Sequence, residues 1–126
     1  MMAGAGFIFG SLSSCVALPV YKTIISESKI SVPISLFAQT DLQIVRTKNA
    51  EYDIALRKEK DATYSAILMR CTHADNQLTS TGNGFTCNLH GSKFDSEGAV
   101  TKGPAELSLK KYPTQVISDN IVITIN

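Results

Sequence analysis

Two short segments, each with one cysteine and one histidine, constrain this 126-residue chain more than any other feature. Cys71-Thr72-His73 has the spacing C-x-H, and Cys87-Asn88-Leu89-His90 has the spacing C-x-x-H. Thiolates and imidazoles are ligands that transition metals bind well. The two segments therefore predict a metal centre held between two loops, with most of the remaining chain as its scaffold.

The residues after the second segment extend the pattern. The chain continues with Gly91-Ser92-Lys93-Phe94-Asp95, then Gly98, then Gly103-Pro104-Ala105. Together with the two ligand segments, this pattern resembles the Rieske [2Fe–2S] family. The resemblance implies a [2Fe–2S] cofactor and one-electron transfer, with two thiolates on one iron and two imidazoles on the other. The implied ligands are Cys71, His73, Cys87 and His90.

A count of charges is consistent with this ligand set. Two ferric ions, two sulfides and two cysteinates sum to zero when both imidazoles are neutral, so the oxidised cluster carries no net charge in low dielectric. Four cysteinates would leave it doubly negative, and replacing two of them by histidine raises the reduction potential. The free ring nitrogen of each histidine also titrates, which couples the electron to a proton.

Zinc is the alternative metal, because structural zinc sites use the same four ligands in a tetrahedron. Zinc fingers usually keep cysteine with cysteine and histidine with histidine, whereas the two types alternate here. The alternation favours iron. The ligand residues alone leave zinc, or no metal at all, as open alternatives.

The resemblance also assigns roles to residues around the cluster. Ser92 is placed to donate its hydroxyl to a bridging sulfide, and backbone N–H groups near Gly91 would act likewise, which stabilises the reduced state. Pro104 would stiffen a loop that covers the cluster. Ordinary turn roles for Ser92 and Pro104 remain the alternatives.

Two differences from the Rieske proteins of cytochrome bc complexes bear on the potential. Those proteins carry a disulfide between the two loops, but Asn76 and Leu89 occupy the matching positions here. They also commonly carry tyrosine where this chain has Phe94, which cannot donate to a ligand sulfur. We therefore expect a potential in the lower or middle part of the Rieske range of about −150 to +300 mV.

Composition and charge indicate one small domain without a nucleic-acid partner. The chain is 44% hydrophobic and 18% charged with a net charge of +1, so it can bury a single core and has no basic stripe. It has no Ser-His-Asp order, no glycine-rich phosphate loop and no facial triad of iron ligands. We therefore expect no small-molecule substrate pocket, and a protein that is not an enzyme by itself.

The hydrophobic pattern predicts an all-β fold. We expect a Rieske-like β-sandwich or partly closed barrel, formed within a single domain at 16–126, with a small cluster-binding subdomain inserted at about Met69 to Leu107. A short hairpin is expected around Thr81-Gly82-Asn83-Gly84. The predicted strands are Tyr21–Ile25, Ile34–Ala38, Leu42–Arg46, Tyr52–Leu56, Tyr64–Met69, Gln115–Ile117 and Ile121–Ile125.

The amino terminus carries a second signal. Residues 1–12 are small and apolar, and Leu12-Ser13-Ser14-Cys15 fits a bacterial lipobox, so residues 1–15 are interpreted as a signal peptide that ends at a lipidated Cys15. The apolar run is too short to span a membrane. Two alternatives to lipidation remain. The segment could be a signal-peptide remnant without its basic region, or Cys15 could be a buried free thiol.

The two signals together predict an exported, membrane-anchored lipoprotein, periplasmic or outer-membrane associated. A redox partner is expected to dock over His73 and His90. Export of a folded cluster protein usually uses a twin-arginine signal, yet the first arginine is Arg46, so a true start upstream of Met1, cluster insertion after export or loss of the cluster are all open. The other hypotheses are a cytoplasmic ferredoxin and a structural lipoprotein subunit stabilised by its metal.

Overall fold

The computed structural model describes residues 18–126, which form twelve β-strands and one short 3₁₀ helix at Ile34–Phe37. The prediction of an all-β fold is confirmed. The strands are β1 (Val20–Thr23), β2 (Lys29–Pro33), β3 (Leu42–Thr47), β4 (Ile54–Lys58), β5 (Tyr64–Leu68), β6 (Thr79–Ser80), β7 (Gly84–Thr86), β8 (Lys93–Asp95), β9 (Val100–Lys102), β10 (Lys111–Tyr112), β11 (Thr114–Ile117) and β12 (Asn120–Thr124).

The strands form three sheets. A five-stranded sheet has the order β1-β3-β4-β5-β10, a three-stranded sheet has the order β11-β12-β2, and a four-stranded sheet has the order β6-β7-β8-β9. Every pairing is antiparallel except the parallel pair of β1 and β3. None of these sheets closes into a barrel over residues 18–126.

The five-stranded sheet contributes side chains to two separate hydrophobic cores. Val45 and Leu56 pack with residues of the three-stranded sheet, whereas the neighbouring Ile44 and Ala55 pack with residues of the four-stranded sheet. Successive side chains of a strand point to opposite faces, so this sheet is covered on both sides. Its strands therefore have nearly continuous apolar runs, such as the fully buried Leu42–Val45.

Two local predictions were wrong at the edge of the three-stranded sheet. Ile34–Ala38 was predicted as a strand, but Ile34–Phe37 is a 3₁₀ turn closed by the N–H of Ala38 on the carbonyl of Ser35 at 3.2 Å. The preceding strand, Lys29–Pro33, was missed, although its burial alternates with Ile30 and Val32 inside. Pro33 ends this edge strand, and the chain turns directly after it.

The predicted short hairpin is confirmed between β6 and β7, where the Thr81 N–H donates to the Gly84 carbonyl at 2.9 Å. Gly84 is required because a Cβ there would lie 2.5 Å from the backbone oxygen of Phe94 on β8. A larger residue at this position would force β7 and β8 apart. The sheet lies within the expected subdomain at 69–107, whose exact bounds stay a prediction.

The predicted signal peptide and lipidation site fall before the first described residue. Residues 1–15, with the predicted lipidation site Cys15, lie outside the described residues. Within residues 18–126, no helix has both the length and the apolar character needed to cross a bilayer.

Candidate metal centre

Three loops carry the residues that the sequence singled out. The first ligand loop (residues 69–78) joins β5 to β6, the second ligand loop (residues 87–92) joins β7 to β8, and the proline loop (residues 103–110) joins β9 to β10. The first and third loops are adjacent because β10 pairs with β5. The second ligand loop lies beside the other two because the four-stranded sheet that carries it packs against the same face of the five-stranded sheet.

The structure separates the four predicted ligands by depth. Cys71 and Cys87 are free thiols, 1% and 2% exposed, within the core between the five- and four-stranded sheets. His73 and His90 are exposed, and their ring centroids lie 5.1 Å apart with an interplanar angle of 80°. The site therefore has a buried sulfur side and an exposed imidazole side.

Each ligand loop is closed by its own backbone hydrogen bonds. The N–H of Cys71 donates to the carbonyl of Asn76 at 2.9 Å, and the N–H of Cys87 donates to the carbonyl of Ser92 at 2.9 Å. The N–H of Gly91 turns back to the carbonyl of Cys87 at 3.0 Å. Gly91 has φ +83°, a left-handed conformation that glycine adopts without strain. These turns present both residues of each motif at one end of the sheets.

The electrostatics of Cys87 suit a metal-binding thiolate. Burial raises the pKa of this thiol, but hydrogen bonds to its sulfur outweigh burial, and the net effect lowers the pKa below its ordinary value. The donors are the backbone N–H of Leu89, the side-chain amide of Asn76, the thiol of Cys71 and the backbone N–H of His90. A lowered pKa favours the thiolate, which is the form that binds metals.

Asn76 is a residue whose role the sequence reasoning missed. It was noted only as the residue at the position of a disulfide cysteine, yet its side-chain Nδ2 lies 3.5 Å from the Sγ of Cys87 on the other loop. No spacing rule predicts such a contact, because it depends on how the two loops pack.

The proline loop is tied to both ligand loops. Ser92 is fully buried, and its Oγ accepts the N–H of Ala105 at 3.0 Å. The hydroxyl of Thr72 donates to the carbonyl of Leu107 at 2.6 Å. Since Ser92 acts as the acceptor from Ala105, its own proton remains available to a nearby acceptor. Pro104, directly before Ala105, is exposed.

Phe94 lies beneath the site rather than at its surface. It is 2% exposed, pairs with Phe85 across β7 and β8, and belongs to the same core as both cysteines. Its ring can exclude water from the sulfur side of the site. It offers no hydrogen bond to sulfur.

The arrangement fits a two-centre cluster better than a single ion. The site presents two buried thiols and two exposed imidazoles, which are two ligands of each kind. A [2Fe–2S] cluster needs only two protein ligands at each iron. Paired buried thiols and paired exposed imidazoles on an all-β scaffold are thus the features of an iron–sulfur domain.

The family follows from a comparison with known domains. Residues 33–113 match the model of the Rieske [2Fe–2S] domain, which is more than half of the chain. The chain therefore belongs to the Rieske [2Fe–2S] domain family, and the resemblance inferred from its motifs is confirmed. A Rieske domain binds a [2Fe–2S] cluster, so the predicted cofactor is confirmed as well.

Curated relatives are subunits of electron-transfer complexes. The cytochrome b6-f complex iron-sulfur subunit of Synechococcus sp. (strain CC9605) is 41% identical over 56 residues, which are 43% of this chain and 32% of the relative. The ubiquinol-cytochrome c reductase iron-sulfur subunit of Bradyrhizobium diazoefficiens is 31% identical over 81 residues, 62% of this chain and 46% of the relative. The chain thus spans less than half of either relative.

Solved structures share the fold. The plasma membrane Rieske protein PetC3 of the cyanobacterium Synechocystis PCC 6803 matches with TM-score 0.61 and 28% identity, covering 75% of this chain and 98% of that one. Naphthalene 1,2-dioxygenase matches with TM-score 0.62 and 21% identity, covering 82% of this chain but 27% of that one. The second likeness shows the fold alone.

Ser92 provides a direct test of how the loops are held together. The variant Ser92→Ala removes the acceptor of the buried Ala105 N–H, so we expect the free energy of unfolding to fall by about 1–3 kcal/mol. Chemical denaturation measures it. Ser108→Ala, an exposed serine on the same proline loop, is the control and should change stability by less than about 0.5 kcal/mol. Equal effects of the two variants would contradict the interpretation.

Proposed function

We propose that this protein is a one-electron carrier whose [2Fe–2S] cluster is bound by Cys71 and Cys87 at one iron and by His73 and His90 at the other. When bound, the cluster supplies reversible one-electron transfer. The single observation that carries the assignment of ligands is the pairing of two buried thiols with two adjacent exposed imidazoles in a Rieske domain. The relatives named above support the assignment of function.

The burial of the two cysteines and the exposure of the two histidines suit one-electron transfer. Buried Cys71 and Cys87 are kept from water and from oxidation, and N–H donors take the place of solvent at the sulfur of Cys87. Exposed His73 and His90 would be the surface through which an electron leaves.

We propose a docking surface around the two imidazoles, formed by His73, His90, Leu89 and Leu107. Leu89 is 58% exposed and precedes His90, and Leu107 is 68% exposed and lines a groove beside His73. Exposed leucines next to a functional group are typical of a protein contact. The partner proposed is a redox protein with an apolar face, as expected for a subunit of a larger oxidoreductase.

The protein is proposed to act with this partner and not as an enzyme alone. Its relatives are named as subunits of complexes. Attachment to a membrane through a lipidated Cys15 belongs to the same proposal. It is supported by the lipobox pattern and by the likeness to a plasma membrane Rieske protein.

The ligand assignment is tested with His90→Ala. We expect the purified protein to be red-brown, to contain two irons per chain and to show a rhombic electron paramagnetic resonance signal after reduction, and we expect the variant to lose that signal. Asn88→Ala, an exposed neighbour on the same loop, should keep it. A colourless protein that contains zinc, or a signal that survives in His90→Ala, would show that the assignment is wrong.

The docking surface is tested by photo-crosslinking. With p-benzoylphenylalanine in place of Leu107, irradiation of the native membranes should link the protein to a redox subunit, identified by mass spectrometry. The same group in place of Val116, which is 48% exposed on the three-stranded sheet, should not give that product. Equal crosslinking from both positions would argue against a docking surface at the imidazoles.

Lipidation is tested by labelling. We expect radioactive palmitate to be incorporated into the full chain in a bacterial host, and the variant Cys15→Ser to remain unlabelled and to leave the membrane fraction. Cys87→Ser, which removes a different thiol, should keep the label. Labelling that persists in Cys15→Ser would rule out this anchor.

A further inference from the structure

One asparagine contacts both candidate cysteine ligands. The backbone carbonyl of Asn76 accepts the N–H of Cys71 at 2.9 Å within the first ligand loop. Its side-chain Nδ2 lies 3.5 Å from the Sγ of Cys87 in the second ligand loop. The two loops lie on either side of the hairpin of β6 and β7, and this residue contacts both.

The orientation of the Asn76 amide is set by its surroundings. Its Nδ2 faces two acceptors, the Sγ of Cys87 at 3.5 Å and the carbonyl of Gln77 at 3.2 Å. An amide turned by 180° would place its own oxygen against both acceptors, which is repulsive. The longer distance to sulfur is ordinary because sulfur is larger than oxygen. The N–H group is therefore the end that faces the sulfur.

We propose that Asn76 is a positioning residue that holds the sulfur of Cys87 and raises the reduction potential of the cluster. The proposal rests on the proposed ligation by Cys71 and Cys87. An N–H donor to a ligand sulfur withdraws negative charge from it, and the reduced state carries one more negative charge than the oxidised state. The hydrogen bond therefore stabilises the reduced state more strongly.

The hydrogen bond from Asn76 to the sulfur of Cys87 can also be removed by substitution. The other amide donors to Cys87 are backbone N–H groups of Leu89 and His90, which every substitution except proline retains. In residues 18–126, Asn76 supplies the one side-chain amide that reaches a cysteine sulfur. Its contribution to the potential can therefore be measured separately.

The experiment compares reduction potentials of the cluster-loaded protein and its variants. In Asn76→Leu, which has nearly the same size but no donor, we expect the equilibrium constant for reduction to fall about tenfold, or about 59 mV for one electron. A redox titration followed by electron paramagnetic resonance measures the shift. Asn88→Leu replaces an exposed amide next to Cys87 and should leave the potential unchanged.

The outcomes distinguish a failure of the proposed role of Asn76 from a failure of the proposed cluster ligation. Wild-type protein without a rhombic signal overturns both, whereas a normal wild-type signal with an unchanged potential in Asn76→Leu overturns only the role of Asn76. If Asn76→Leu does not bind the cluster, Asn76→Ala, which removes the donor without adding a charge, should show the lowered potential.

A measurement on protein with Asn76 intact covers the case in which neither variant binds the cluster. With ¹⁵N-asparagine labelling, pulsed paramagnetic resonance should detect a weak ¹⁵N coupling to the reduced cluster. That coupling should persist in Asn88→Leu, because Asn76 is then the labelled residue at the sulfur. Absence of the coupling in the wild-type protein, or its loss in Asn88→Leu, would overturn the proposal.

Discussion

Burial of two cysteine sulfurs in a hydrophobic core is the constraint on which this structure depends. Cys71 and Cys87 lie among apolar side chains that include Phe85 and Phe94, between two sheets. A thiolate in such surroundings needs hydrogen-bond donors, since water is absent. The loops meet this need by turning N–H groups toward the sulfur of Cys87. Fold and site are thus linked, because the core that stabilises the domain also encloses the ligands.

The three loops of the site are held together without a covalent link among the described residues. Asn76 joins the first ligand loop to the second, Thr72 joins the first to the proline loop, and Ser92 joins the second to the proline loop. Each pair of loops therefore shares at least one hydrogen bond. Buried networks of this kind rigidify a site when every polar group is satisfied. No buried side-chain polar atom within residues 18–126 lacks a hydrogen-bond partner.

Prediction from sequence succeeded for strands that consist mainly of one apolar run. The apolar runs at Leu42–Arg46 and Tyr64–Met69 are β3 and β5 within one residue at each end. It failed at Pro33, where the alternating strand before the proline was missed and the short apolar turn after it was predicted as a strand. The apolar run after Pro33 looked strand-like, but only Phe37 in it is buried. Burial depends on neighbours that a local pattern does not contain.

The sequence by itself indicated the family, the cofactor and the four candidate ligands, because ligand type and spacing are local features of the chain. It also determined that the fold is built from strands. The tertiary structure decided that the cysteines are buried and the histidines exposed, and that the five-stranded sheet is covered on both faces. It alone placed Asn76 at the sulfur of Cys87, since hydrogen bonds between loops depend on how distant strands pack.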